Sequence, residues 1–233
     1  MSSIDPVASV PILFEDAYLI AVGKPAGMPV QPDPTGDADL LGSLATQRGG
    51  RAPGLVHRLD RPVSGVVVFA LDDGVLAALN ALFRDRAVRK RYWAIVEGTV
   101  EAKEWMLLEH HLTHDTKAKR ARVFKGGSSP DERARLRVRS IASGERYTLL
   151  EVEPEGGAFH QIRAQLAASG HPIKGDVKYG ARRGEKDRSI GLHARSIAFD
   201  HPITGQRITV RAPAPDGPLW RALIGLVGSS AEE

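Results

Sequence analysis

Apolar residues recur along this chain with two periods, and the changes of period mark its elements. ILFEDAYLIAVGKP reads as two short strands about a Glu-Asp turn, closed by Pro25, Ala26 and Gly27. MPVQPDPTGDADL is rich in Pro, Asp and Gly and reads as a loop; its Asp39 is placed to cap a short helix through LLGSLATQR. GVVVFAL, residues 65–71, is an unbroken β-branched and aromatic run of strand length, so a strand buried on both faces is expected. Asp72 then caps a helix running to about Arg86, with Val75, Leu76, Leu79, Leu82 and Phe83 forming its buried stripe. KRYWAIVEG is the next strand.

Residues 104–153 alternate as strands do, interrupted by the turn GGSSPDE at 126–132. FHQIRAQLAASG, 159–170, reads as a helix with Ile162 and Leu166 on one face and Gly170 as its stop. GLHARSIAF and QRITVRAP are two strands joined by a Pro-Ile-Thr-Gly turn, and a helix over roughly 216–226 ends the fold. Strands in meander-like series with few helices predict an α+β fold, with a mixed, largely antiparallel sheet flanked by helices. There is no internal repeat and no linker, so one compact domain is expected, in one lobe or two.

Composition adds bounds. At 233 residues, 42% hydrophobic and 26% charged, the chain is long enough to bury a core and ordinary for a globular protein. The net charge of +4 permits a polyanionic partner, and the placement of the 32 Lys and Arg decides whether one is recognised. With no cysteine there are no disulfides, thiolate metal sites or cysteine nucleophiles. MSSIDPVASVPILFED carries no export or organelle pattern, and no apolar run approaches the eighteen or so residues of a membrane span. No membrane association is expected, and the cytoplasm is the default location.

Candidate chemistry begins in GLVHRLDRPVSGVVVFA, 54–70, where Asp60 stands between Arg58 and Arg61 ahead of the apolar run. If 55–60 are extended, period-two alternation places Arg58 and Asp60 on one face and His57, Leu59 and Arg61 on the other. A carboxylate beside a fixed cation is favoured in its charged form, which suits a nucleophile or an electrostatic stabiliser; a structural ion pair at a strand end reads equally well. Tyr92, two residues after Lys90 on one strand face, is placed either to stack on a base or to sit half-buried in the sheet. His160, Gln161 and Arg163 fall in the first turns of the 159–170 helix, where the guanidinium would brace a carboxylate or a phosphate, or simply be solvated.

Arg133, Arg135, Arg137 and Arg139 recur at every second residue and line one strand face, with Ala134, Leu136 and Val138 toward the core. Together with KAKRARVFK, 117–125, they form either a phosphate-tracking surface or a solvated face. His110, His111 and His114 lack the convergent partners a metal needs, so no metal site is expected. Walker, GxGxxG and GxSxG patterns are absent.

Taken together, these segments resemble the RluA-type family of RNA pseudouridine synthases, in the family's order and over about residues 12–225. LIAVGKPAGMPVQP is similar to its opening motif, with Gly23 where Asn is more usual. GLVHRLDRPVSGVVVFA is close to its catalytic motif, and KRYWAIVEG to its aromatic strand. HQIRAQLAASGHPIKGDVKYG is similar to its third motif, and LHARSIAFDHPITGQ to its last strand pair. One departure is visible: where the family reads Gly-Arg-Thr or Gly-Arg-Ser before HQIR, this chain has Gly157, Ala158 and Phe159.

The resemblance implies the pseudouridine synthase fold with a central cleft, formed by a catalytic domain over 12–226. Residues 1–11 then form an extension and 227–233 a flexible tail. It implies that Asp60 is the catalytic aspartate, that Tyr92 stacks against the flipped base, and that Arg163 pairs with the catalytic carboxylate. Arg58 would fill the gap left by the extruded uridine. With His57, Arg61, His160, Gln161 and the four strand arginines it makes up the RNA-binding set. The implied activity is isomerisation of uridine in structured RNA, ribosomal RNA ranked ahead of transfer RNA, with neither cofactor nor metal and no obligate protein partner. The amino-terminal S4 module of many relatives has no room here, so RNA selection is expected from the catalytic domain's own surface. Two rival readings are a non-catalytic RNA-binding protein on this fold and a base-excising glycosidase. A retaining glycosidase would need a second carboxylate about 5 Å from the first, and no motif supplies one. Whether Asp60 adds to the sugar or takes its 2′ proton stays open.

Overall fold

The structure, a computed structural model, describes residues 9–124 and 133–227; the turn expected at 126–132 lies outside the described residues. The first elements are β1 (Ile12–Glu15), β2 (Leu19–Lys24), α1 (Leu40–Gln47), β3 (Gly54–Leu55), β4 (Ser64–Ala70) and α2 (Asp73–Arg84). Next come β5 (Arg89–Glu97), β6 (Met106–Asp115), β7 (Arg120–Phe124), β8 (Arg133–Ser143), β9 (Tyr147–Pro154) and α3 (Gln161–Ala168). A 3₁₀ turn at Val177–Tyr179, β10 (Leu192–Asp200), β11 (Arg207–Arg211) and α4 (Pro218–Ile224) complete the series. The chain divides into two compact units, Met1–Val88 with Ser196–Pro213 and Arg89–Arg195 with Ala214–Glu233, so β10 begins in the second and ends in the first.

In the first unit β2 pairs antiparallel with β1 on one edge and β4 on the other, and the β10–β11 hairpin closes the unit. Val66, Val67, Val68 and Phe69 are all buried, which explains why this strand shows no polar alternation. Val66, Val68 and Ala70 pack with Leu19, Ala21, Ile197 and Phe199 against Val75 and Leu79 of α2. Both expected caps are made. Asp39 accepts from Gly42 N at 2.9 Å, and Asp72 accepts from Gly74 N at 2.8 Å and Val75 N at 3.2 Å, each cap contributing about 1 kcal/mol.

The second unit is an antiparallel meander in the order β5-β9-β8-β6-β7. Directly opposed residues share a face, so the register sorts its side chains. Tyr92, Val152, Val138, Leu136, Ala134, His110, Leu112 and His114 lie on one face, which carries α3 through the cluster of Leu112, Ala121, Ala134 and Ala164. Arg91, Glu151, Glu153, Arg137 and Arg139 lie on the other. The α+β, largely antiparallel reading therefore holds. No helix among the described residues is long and apolar enough to cross a membrane.

Candidate active site

Asp60 does not extend from a strand. Residues 56–60 are irregular, β3 ends at Leu55, and Asp60 opens a turn in which its carbonyl accepts from Val63 N at 3.0 Å. The turn is pinned by its apolar neighbours: Leu59 and Val63 are buried, Asp60 is half-buried and Arg58 is exposed.

Arg61 is engaged by the 27–37 loop. Its Nε donates to Gly27 O at 2.8 Å and its terminal nitrogens reach Asp33, Thr35 and Asp37, clasping the 27–37 loop. The Arg61 hydrogen bond, then that of Thr35, holds the Asp37 carboxyl below its usual range. His57 stacks on Phe83 at 4.7 Å and its Nε2 accepts from Val68 N at 3.0 Å, bracing the motif on β4. Both residues were expected to face RNA. In this structure their ring and guanidinium also take part in holding the Asp60 turn in place.

Beneath that turn lies Lys24, at 2% exposure. Gly27, at φ 84°, folds Pro25–Met28 into a tight loop that a Cβ-bearing residue would strain. The Lys24 ammonium donates into it, to Pro25 O at 2.9 Å and Met28 O at 2.6 Å, and to Arg61 O at 3.1 Å. Three carbonyls meet the three N–H groups of one ammonium. Burial pulls the Lys24 pKa down to about 7, the Asp60 charge working against that and Arg61 with it. A cation is thereby fixed under Asp60, a role the sequence reading did not assign. The available signal was a lysine ending the apolar run LIAVGK immediately before Pro-Ala-Gly.

In the second unit α3 begins at Gln161, two residues later than expected. His160 precedes it in the left-handed region, φ 52°, so it does not share a helical face with Arg163. Its ring stacks on Phe159 and its Nδ1 meets Tyr179 Oη at 2.9 Å, interactions that decide this conformation against helix. Gln161 is buried: its Nε2 donates to Arg135 O at 2.9 Å and its Oε1 accepts from Ala158 N at 3.2 Å. It braces the start of α3 against β8. Arg163, also buried, forks onto Asp176, Nε to Oδ2 at 2.6 Å and an NH2 to Oδ1 at 2.8 Å, and lies over the Tyr179 ring at 5.1 Å. The fork fixes the guanidinium plane. Asp176 was legible only as part of the Gly-Asp pair in the third motif.

The arginines of β8 are ion-paired along their length. Arg133 pairs with Glu109, Arg135 with Glu109 and Glu155, Arg137 with Glu153 and Arg139 with Glu151. Trp105 lies over Arg137 and Arg139 at 5.3 and 4.9 Å. Burial raises the Glu153 carboxyl, but hydrogen bonds from Arg91 and Arg89 outweigh it and hold the group below its usual range. These arginines occupy the sheet face opposite Tyr92 and α3, where Arg137 and Arg139 neutralise the buried Glu153 and Glu151 while Arg133 and Arg135 meet the more exposed Glu109 and Glu155.

Motif order, the half-buried carboxylate and the forked arginine agree with one family. A family model described as RNA pseudouridylate synthase matches residues 18–168, the span that holds Asp60, Tyr92 and Arg163. The chain belongs to the RNA pseudouridylate synthase family. It is 34% identical over 212 residues to "Uncharacterized RNA pseudouridine synthase YhcT" of Bacillus subtilis, covering 88% of this chain and 68% of that protein. It is 32% identical over 241 residues to "tRNA pseudouridine synthase C" of Vibrio cholerae, covering 93% and 95%. It is 33% identical over 221 residues to "Ribosomal large subunit pseudouridine synthase D" of Zymomonas mobilis, covering 88% and 69%. The solved structure of human RNA Pseudouridylate Synthase Domain Containing 1 is similar in fold, with a TM-score of 0.76 and 22% identity over 94% of this chain and 90% of that one. The family is one of isomerases acting on RNA.

Proposed function

We propose that this chain converts uridine to pseudouridine in structured RNA, with Asp60 as nucleophile or base and Tyr92 and Arg163 serving it in the roles the family motifs assign. The observation that carries the reading is Asp60 itself, a half-buried carboxylate on a pinned turn above the buried Lys24 ammonium, in a segment the family model covers. The reaction breaks the C1′–N1 bond, turns the uracil and closes C1′–C5. The proton lost from C5 is matched by one gained at N1, so nothing is oxidised and no water is consumed. A carboxylate that adds to C1′, or takes the 2′ proton and returns it, is sufficient. Arg58, exposed two residues before Asp60, is available to enter the gap left by the extruded nucleotide. The RNA-binding set is Arg58 with His57, Arg61, His160, Gln161 and the four β8 arginines, while Tyr92 and Arg163 act with Asp60 in catalysis. The relatives' names divide between transfer RNA and large-subunit ribosomal RNA, so both are substrates to test.

The experiment is pseudouridine mapping in total RNA from cells with and without this gene, complemented by wild type or Asp60→Asn. At least one site is expected to vanish without the gene and to return with wild type alone. Free uracil released from the RNA would instead make the protein a glycosidase. RNA binding with an unchanged pseudouridine map would make it a non-catalytic binder.

A further inference from the structure

On the α3 face of the second unit a ladder of rings runs outward from Arg163. Its guanidinium lies over Tyr179, Tyr179 meets His160 edge-on at 5.6 Å, and His160 stacks on Phe159 at 3.8 Å with 18° between planes. Phe159 meets His114 of β6 at 4.2 Å. The inner members have structural partners: Tyr179 Oη accepts from Ala121 N at 2.7 Å and meets His160 Nδ1, tying β7 to the start of α3. The outermost ring differs. His114 is exposed and tilted 42° from Phe159, so their contact covers little apolar surface, yet its ring ends the ladder in solvent. Phe159, half-buried, stands directly behind it.

We propose that His114, backed by Phe159, is a shelf on which an unpaired nucleobase of the RNA substrate, distinct from the target uridine, stacks. The ligand class follows from shape and charge. A base continues a ladder of planar rings whatever its identity. The surroundings are cationic: Lys117 and Lys119 are exposed on the turn just after His114, and Lys178 donates to Lys119 O at 3.0 Å. Lys90, on the same sheet face, donates to Gly156 O in the loop leading to Phe159. Because the ladder is anchored on Arg163, a base held at its outer end lies on the same side of this unit as that residue. The inference rests on the proposed RNA isomerase activity and deepens it by naming a subsite for RNA selection.

The test uses the full chain and two probes transcribed without modification, a transfer RNA pool and large-subunit ribosomal RNA. Affinity by filter binding at one fixed salt concentration is paired with the melting midpoint for wild type, His114→Ala and His114→Phe. The expected result is about a tenfold weaker affinity for His114→Ala, restored by His114→Phe, with all three melting alike. Equal affinity for wild type and His114→Ala overturns the shelf and leaves the isomerase reading standing. A joint fall of affinity and melting midpoint that phenylalanine does not restore assigns His114 to packing and likewise overturns it. If wild type binds neither RNA and modifies neither, the isomerase reading falls and the shelf with it.

Discussion

Lys24→Met isolates what the buried ammonium does, because methionine fills a similar volume without its donors. In the native protein the ammonium is 2% exposed and bonds Pro25 O, Met28 O and Arg61 O. Arg61 O keeps a second donor, Gly27 N at 2.8 Å, whereas Pro25 O and Met28 O lose the amine. Leaving a buried acceptor unmet costs about 1–3 kcal/mol. At pH 9 the folded amine is neutral and keeps two N–H donors, while the proton that the unfolded chain still binds offsets about 2 kcal/mol of their loss, so a net loss of about 2 kcal/mol is expected there. The pH profile provides a second check. With its pKa lowered from 10.5 to about 7, Lys24 is neutral in the folded protein across a range where the unfolded chain still binds that proton. Stability therefore rises with pH through that window and is lost as pH falls toward 7, by up to about 1.4 kcal/mol per unit. Urea unfolding of both proteins from pH 6.5 to 9 measures both quantities. The gap between wild type and Lys24→Met should widen as pH rises. A gap under about 1 kcal/mol at pH 9, or parallel pH profiles, would refute the peg beneath Asp60.

Two further outcomes are expected. Glu153→Gln removes the carboxylate shared by Arg89, Arg91 and Arg137; uncompensated buried charge costs about 3–5 kcal/mol, read as a lowered urea midpoint, and a shift below about 1 kcal/mol would show the network to be inert. Because Glu153 lies below its ordinary value, its contribution is present above the unfolded carboxyl pKa and lost as pH falls through the folded one, so the gap between wild type and Glu153→Gln should close in acid. Arg163→Lys keeps the charge but cannot fork onto Asp176; about 2 kcal/mol of stability and at least tenfold of kcat should be lost, and wild-type kcat would remove Arg163 from the reaction.

What was legible in the amino-acid order is what neighbours along the chain decide. Asp39 and Asp72 cap their helices because a carboxylate two or three residues upstream reaches the first open N–H groups. β4 was readable because a strand buried on both faces leaves no polar position. The HRLD segment was readable as a string of residue types, and alternation correctly placed four arginines on one side of β8. Alternation carries no information about what lies opposite: only the register of β9 brought Glu151 and Glu153 against those arginines, on the face away from Tyr92 and α3. The helix start failed for the same reason, since residues 159 and 160 have acceptable local helical pattern and are held out of it by rings from β6 and the Val177–Tyr179 turn. Lys24 reads as a strand-ending cation until the Pro25–Met28 loop and the Arg61 carbonyl close around it. Periodicity and capping are short-range consequences of backbone geometry and were settled by the sequence alone; the partner of each charge was settled by strand register and turn closure, which join residues far apart in the chain.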